Sequence, residues 1–208
     1  MLISKKDKFA VTYKDVKYTY EQLLRYSQCY ANVFASEKSP EKVLICAQNS
    51  PEWCFAFYGA MRCEAIVIPL EAQSTKKEIE YVINDCRPDI VFVSDDKKEM
   101  FSGLELQGAR LMTKDDIVLS DDENIPATDI PLRGKDDVML INYTSGTTGN
   151  PKGVMLTFNN VMFNVDSVSK QVPIFQPDSN VMVLLPLHHI LPLLGSLVAP
   201  LYMGGTLH

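Results

Sequence analysis

The 208-residue chain predicts an α/β fold with a largely parallel sheet and helices on both faces. Three observations point there. Short continuous apolar runs, "KVLICAQ", "AIVIPL" and "DIVFVSD", read as strands covered on both faces. Stretches of helical periodicity separate them, and each of these opens on a capping signal. The strand–helix alternation over residues 42–95 requires crossover connections, hence parallel pairing with right-handed crossovers.

The elements follow in order. "FAVTY" and "VKYTY" alternate around Lys14–Asp15 as a hairpin, and Leu23, Ala31 and Phe34 then recur at helical spacing to about Ser36. After the first buried run, Ser50–Pro51 supplies an N-cap and a proline at the first helical position. Trp53, Phe57, Ala60 and Met61 give that helix one apolar stripe. Thr75 and Glu78 form a capping box for the next helix, whose inner face is Ile79, Val82, Ile83 and Cys86. Residues 96–136 form an acidic, irregular excursion with a short strand at "ARLMT", before "DDVMLINYT" resumes the sheet. A helix from Asn159 carries Val161, Met162, Val165 and Val168. "NVMVLLPL" reads as a further buried strand and "LPLLGSLVAPLYM" as a helix, and "GGTLH" turns into a beginning strand. The organisation is thus hairpin and helix (1–40), βαβαβ unit (41–95), excursion (96–136) and a final segment (137–208).

Composition bounds the function. The chain is 46% hydrophobic and carries 20 Lys+Arg against 26 Asp+Glu, a net charge of −6. No basic run offers a nucleic-acid surface, which needs clustered positive charge. The five cysteines, at 29, 46, 54, 63 and 86, contain no C-x-x-C pair and read as buried free thiols of a reducing, cytoplasmic protein. Three histidines do not supply a cluster with metal-ligand spacing, so no metal site is expected from these residues. The apolar stretch 181–205 is broken by Pro186, Pro192 and Pro200 and holds His188 and His189, which favours a folded core over a membrane span. Peripheral membrane contact is not predicted.

The segment that carries chemistry is "YTSGTTGNPKGVML", Tyr143 to Leu156. Gly146, Gly149 and Gly153 let backbone N–H groups turn inward, Thr144, Ser145, Thr147 and Thr148 add hydroxyl donors, and Pro151 stiffens the approach to Lys152. A donor-rich loop with one cation and no carboxylate suits a polyphosphate. It is not a Walker loop, because Asn150–Pro151 separates Gly149 from Lys152. A serine hydrolase built from Ser145, Asp166 or Asp178, and His189 is disfavoured, since Tyr143 occupies the first glycine position of G-x-S-x-G.

The loop resembles the phosphate-binding signature of the adenylate-forming superfamily: acyl-CoA synthetases, peptide-synthetase adenylation domains and luciferases. "YTYEQL" (18–23) is similar to its L-T-Y-x-E-L signature, and "LPLHHILPLLGS" (185–196) to its P-L-x-H-x-x-G segment. "GAMRCEAIVIPL" (59–70) matches loosely: Cys63–Glu64 stands where Ala–Gly is usual, read as adjustment of a packing site. Phe158 stands where a histidine often follows the loop. The resemblance implies part of the large N-terminal domain of an AMP-forming ligase that uses ATP, Mg²⁺ and coenzyme A to activate a carboxylic acid. It implies that Thr144, Ser145, Gly146, Thr147, Thr148, Gly149 and Lys152 bind the phosphates, with Lys152 and His189 catalytic. His189 falls on the motif histidine and His188 is expected to pack or face solvent; a histidine satisfied within the core is the plain alternative for both. The apolar wall from Leu184 to Leu201 would suit a medium- or long-chain acyl tail. The family's adenine-, ribose- and magnesium-binding segments are expected downstream, so the 208 residues alone are expected to be inactive. A stand-alone phosphate- or partner-binding module and a peptide-synthetase adenylation fragment are the alternatives.

Overall fold

A computed structural model describes residues 7–131, 134–144, 151–171 and 174–208. The central feature is a six-stranded sheet in the order β6-β5-β3-β4-β7-β8. β3 (Lys42–Cys46), β4 (Ile66–Pro69), β5 (Ile90–Val93), β6 (Arg110–Met112) and β7 (Val138–Thr144) pair in parallel. β8 (Lys152–Thr157) closes one edge antiparallel to β7. The short strand expected at "ARLMT" is therefore the opposite edge of the same sheet.

The first three helices start on side-chain caps, two of them at Ser50 and Thr75 as expected. α1 (Tyr20–Phe34) is boxed by Thr19 and Gln22, α2 (Pro51–Arg62) is capped by Ser50, and α3 (Lys76–Cys86) is boxed by Thr75 and Glu78. These caps satisfy amides that the first turn leaves without intrahelical partners. α1, α2 and α5 (Phe158–Asp166) cover one face of the sheet; α3 and the short α4 (Lys98–Ser102) cover the other. The first face buries an aromatic cluster in which Tyr30, Phe34, Phe55 and Phe92 meet edge-on or tilted, with ring centroids 5.5–6.4 Å apart. α1 and α2 approach so closely at Gly59 that a Cβ there would lie 2.6 Å from the Tyr30 Cβ.

A second sheet, β2-β1-β10-β9, joins distant parts of the chain. β1 (Phe9–Tyr13) and β2 (Val16–Thr19) form the expected hairpin, with Lys14 at φ 53° in the turn. β1 then pairs in parallel with β10 (Thr206–Leu207), and β10 with β9 (Asn180–Val181). Here one expectation fails: "NVMVLLPL" is not a buried strand. Only its first two residues are strand, and Met182 and Leu184 are 65% and 77% exposed. β9 pairs with two residues of β10, and no other described element covers the stretch that follows.

The last helix is present with a wider winding than expected. α6 (Ile190–Pro192) passes into a π-helical stretch, Leu193–Val198, and then into α7 (Ala199–Met203). Pro200 lacks the N–H that an α-helix would direct to Ser196, and the π-helical winding immediately precedes it. α5 is likewise followed by a π-helical stretch, Ser167–Gln171. Among the described residues no helix is long and apolar enough to cross a membrane.

The Cys63–Glu64 departure acquires a different reason. Glu64 sits at φ 57° just after α2, in the left-handed region that favours glycine. The expected glycine answers a backbone requirement, so the packing interpretation is corrected for Glu64, which is exposed and adopts the strained conformation itself, while Cys63 does pack against the larger core cluster. Phe158 also gains an account. It is the first residue of α5, it is buried in the larger core cluster, and its N–H reaches the Asp137 carbonyl at 2.9 Å.

Candidate active site

The site lies along the carboxyl ends of the parallel strands, where α/β sheets place their ligands. β7 delivers Thr144 at its last position, and β8 begins with Lys152 directly opposite it. The register Tyr143↔Gly153 and Thr144↔Lys152 fixes both stems of the intervening loop. Ser145, Gly146, Thr147, Thr148 and Gly149 lie outside the described residues. Thr144 and Lys152 are both exposed, and Lys152 makes no ion pair with any described residue.

Side chains alternate faces along a strand, and directly opposed residues share a face. Thr144, Lys152, Asn142 and Leu140 therefore lie on the α2/α5 side of the sheet, while Ile141 and Tyr143 turn toward α3. On that second side the Tyr143 hydroxyl donates to Asp85 Oδ2 at 2.5 Å, and its ring covers Gly153, where an added Cβ would lie 3.1 Å from Tyr143 Cζ. Burial and the adjacent Asp85 hold the Tyr143 phenol well above its ordinary pKa, so it is a donor at neutral pH.

The histidine segment comes to the first side. Asn142, buried within β7, donates from Nδ2 to the His188 carbonyl at 2.7 Å. Asn49, in the loop after β3, donates from Nδ2 to the Leu185 carbonyl and accepts at Oδ1 from the Leu187 N–H, each at 2.9 Å. His189 is exposed at the start of α6. The ring centroids of His188 and His189 are 4.0 Å apart. His188 is half-buried beside a cavity of about 430 Å³ that Ala47, Gln48, Glu71 and Gln73 also line, and its Nε2 is shielded with no hydrogen-bond partner. Burial, and then the neighbouring His189, push its pKa below the ordinary imidazole value, so His188 is neutral at pH 7.

A separate cavity of about 360 Å³ opens between the end of β8, α5 and the last helix. Leu156, Val161, Val168, Phe175, Leu191 and Leu194 supply most of its wall, and among the described residues no lysine or arginine lines it. Among the described residues no group of three or more His, Cys, Asp or Glu side chains could hold a metal ion.

The structure pairs Thr144 with Lys152 and ties the His188 carbonyl to Asn142, two residues before Thr144 on β7. Sequence reasoning missed Asn49 and Asn142, whose only local mark is an amide side chain closing an apolar run, Gln48–Asn49 after "LICA" and Asn142 after "VMLI".

The chain is 28% identical over 207 residues to the mitochondrial malonate–CoA ligase of Xenopus laevis, covering 91% of this chain and 35% of the relative. It is 27% identical over 184 residues to a long-chain-fatty-acid–CoA ligase of Mycobacterium tuberculosis, covering 85% of this chain and 36% of the relative. The chain spans about a third of the length of these relatives. The crystal structure of ATP-bound MatB from Rhodopseudomonas palustris superposes with a TM-score of 0.84 at 26% identity, over 99% of this chain and 42% of that one. The family model for AMP-binding enzymes matches residues 4–208, and the chain belongs to the AMP-binding enzyme family.

Proposed function

We propose that this chain forms the N-terminal part of an ATP-dependent acid–CoA ligase. The ligase would join a carboxylate to the α-phosphate of ATP with loss of pyrophosphate, then pass the acyl group to the thiol of coenzyme A. The observation that carries this reading is the shared face of Thr144, Lys152, the histidine segment and the apolar cavity. A phosphate grip and an acyl-sized cavity on one side of a sheet edge would set the carboxylate against the α-phosphate. Lys152 would act as the cation on the leaving phosphates, and donors of the loop, Ser145 to Gly149 among them, would stabilise the charge that develops there. His189 would line the approach of the carboxylate. Mg²⁺, when bound, would screen the phosphate charge, and none of the residues described here is assigned to it.

For the substrate, the cavity favours an aliphatic tail of medium or long chain over a dicarboxylate. A second carboxylate buried against Leu156, Phe175 and Leu194 would lack a cationic partner and be costly to desolvate. The experiment is ATP–pyrophosphate exchange by the whole protein across octanoate, palmitate, benzoate and malonate. Octanoate or palmitate should give the fastest exchange. Faster exchange with malonate would overturn the substrate assignment, and no exchange with any acid across a wider screen would overturn the activity. The 208 residues alone should give none.

A further inference from the structure

The segment 182–189 has little of its own to hold it in place. Met182, Leu184 and Leu185 are exposed, Pro186 has no N–H to give, and only Leu187 is buried in the core. Within the segment, the His189 N–H reaches the Pro186 carbonyl at 3.2 Å, which closes a turn without tying that turn to the sheet. Upstream, the Val183 N–H reaches the His208 carbonyl of the second sheet at 2.9 Å. Among the described residues, the three hydrogen bonds that tie Leu185–His188 to the central sheet and the loop after β3 all come from two asparagine amides. Asn49 takes both backbone groups on either side of Pro186, and Asn142 takes the His188 carbonyl.

The two amides stand on two strands of the same sheet. Asn49 follows β3, and Asn142 lies within β7, two residues before Thr144 on the same face. One strand repeat is roughly 7 Å along the chain. Asn142 therefore sets the offset between the histidine backbone and the mouth of the phosphate loop in a single rigid step. A leucine would suit the apolar surroundings of Asn142, but it could not make this bond.

We propose that Asn49 and Asn142 are positioning residues of the adenylation site. They clamp the Leu185–His188 backbone to the sheet and so fix His189 relative to the phosphates gripped at Thr144 and Lys152. The inference rests on the ligase reading above and goes beyond it, since both amides are engaged with backbone groups of the histidine segment. A displacement on the order of 1 Å in such a site costs about a hundredfold in rate. Losing either amide should therefore act on turnover and leave ATP binding nearly intact.

The test uses the whole protein with its best acid in pyrophosphate exchange. Asn142→Leu and Asn49→Ala should each lower kcat by about tenfold to a hundredfold, with the KM for ATP changed by less than about threefold. In a His189→Ala background, Asn142→Leu should add less than about threefold, because the group it positions is already gone. Hydrogen exchange of the peptide spanning Leu187–Ile190 should accelerate in both variants while melting of the βαβαβ unit stays unchanged. Should Asn142→Leu fail to fold, Asn49→Asp decides the matter: it keeps the acceptor for the Leu187 N–H and loses the donor to Leu185, so kcat should fall without loss of structure. Unchanged kcat, full additivity with His189→Ala, or unchanged exchange at Leu187 would overturn the proposal. If the unaltered protein shows no exchange with any acid, the ligase reading fails first and takes this proposal with it, a result visible before any variant is compared.

Discussion

The βαβαβ unit of residues 42–93 and the segment 138–207 differ in how they use apolar side chains. In the first, β3, β4 and β5 are buried almost throughout, and α2 presents Trp53, Phe55 and Phe57 to aromatic and aliphatic partners. In the second, β8 is mostly exposed, and Met155, Leu184 and Leu191 meet solvent. The contrast teaches that this molecule separates its framework from its site. On the proposed reading, a strand edge that admits a triphosphate and an acyl chain would not be packed shut, and the stability of the fold would come from elsewhere.

The sharpest way to break that comparison is a pair of truncations. Phe55→Ala, in the aromatic cluster of the framework, should cost about 3–5 kcal/mol in urea unfolding through the lost transfer energy and the cavity left behind. Leu191→Ala, at 76% exposure beside the apolar cavity, should stay within about 0.5 kcal/mol. Equal losses would mean that the two regions do not divide the work.

A smaller effect, of opposite sign, is expected at the end of α2. Glu64 holds a left-handed conformation at φ 57°, which costs an L-residue roughly 1 kcal/mol that glycine does not incur. Glu64→Gly should raise stability by about 0.5–1 kcal/mol, less whatever glycine adds to unfolded-chain entropy, and shift the urea midpoint upward. A lowered midpoint would show that the Glu64 side chain contributes more than its exposure suggests.

The smallest expected effect belongs to the site. His188 has a folded-state pKa below its unfolded value of about 6.5. The unfolded chain therefore binds the proton first as pH falls. The contribution of neutral His188 is complete above the unfolded value and is lost progressively below it, as pH drops toward the folded one. A stability profile between pH 7.5 and 5 should decline, and His188→Asn should flatten part of that decline. An unchanged slope would assign the decline to other groups.

These two regions were unequally legible in the sequence. Runs such as "KVLICA" and the caps at Ser50 and Thr75 are local signals, and they located β3, α2 and α3 to within a residue or so. The partnership of Val11 with Leu207 crosses nearly the whole chain, and no local periodicity announces it. "NVMVLLPL" misled because an apolar run indicates burial only if something covers it. Glu64 misled differently: a left-handed backbone leaves no trace in hydrophobicity, and only the departure from the family pattern hinted at it. The motifs single out Thr144, Lys152 and His189 as candidates, whereas Asn49 and Asn142 bond to backbone carbonyls and an amide that spacing does not reveal.

The central claim is that the loop between β7 and β8 grips the phosphates of ATP, with Lys152 as its cation. The most direct measurement compares kcat/KM for ATP in Lys152→Ala and Lys152→Arg with the unaltered whole protein, in pyrophosphate exchange. The account predicts a loss of about a hundredfold to a thousandfold for alanine, equivalent to about 3–4 kcal/mol of transition-state stabilisation, with partial recovery by arginine. An alanine variant with unaltered kcat/KM would contradict it.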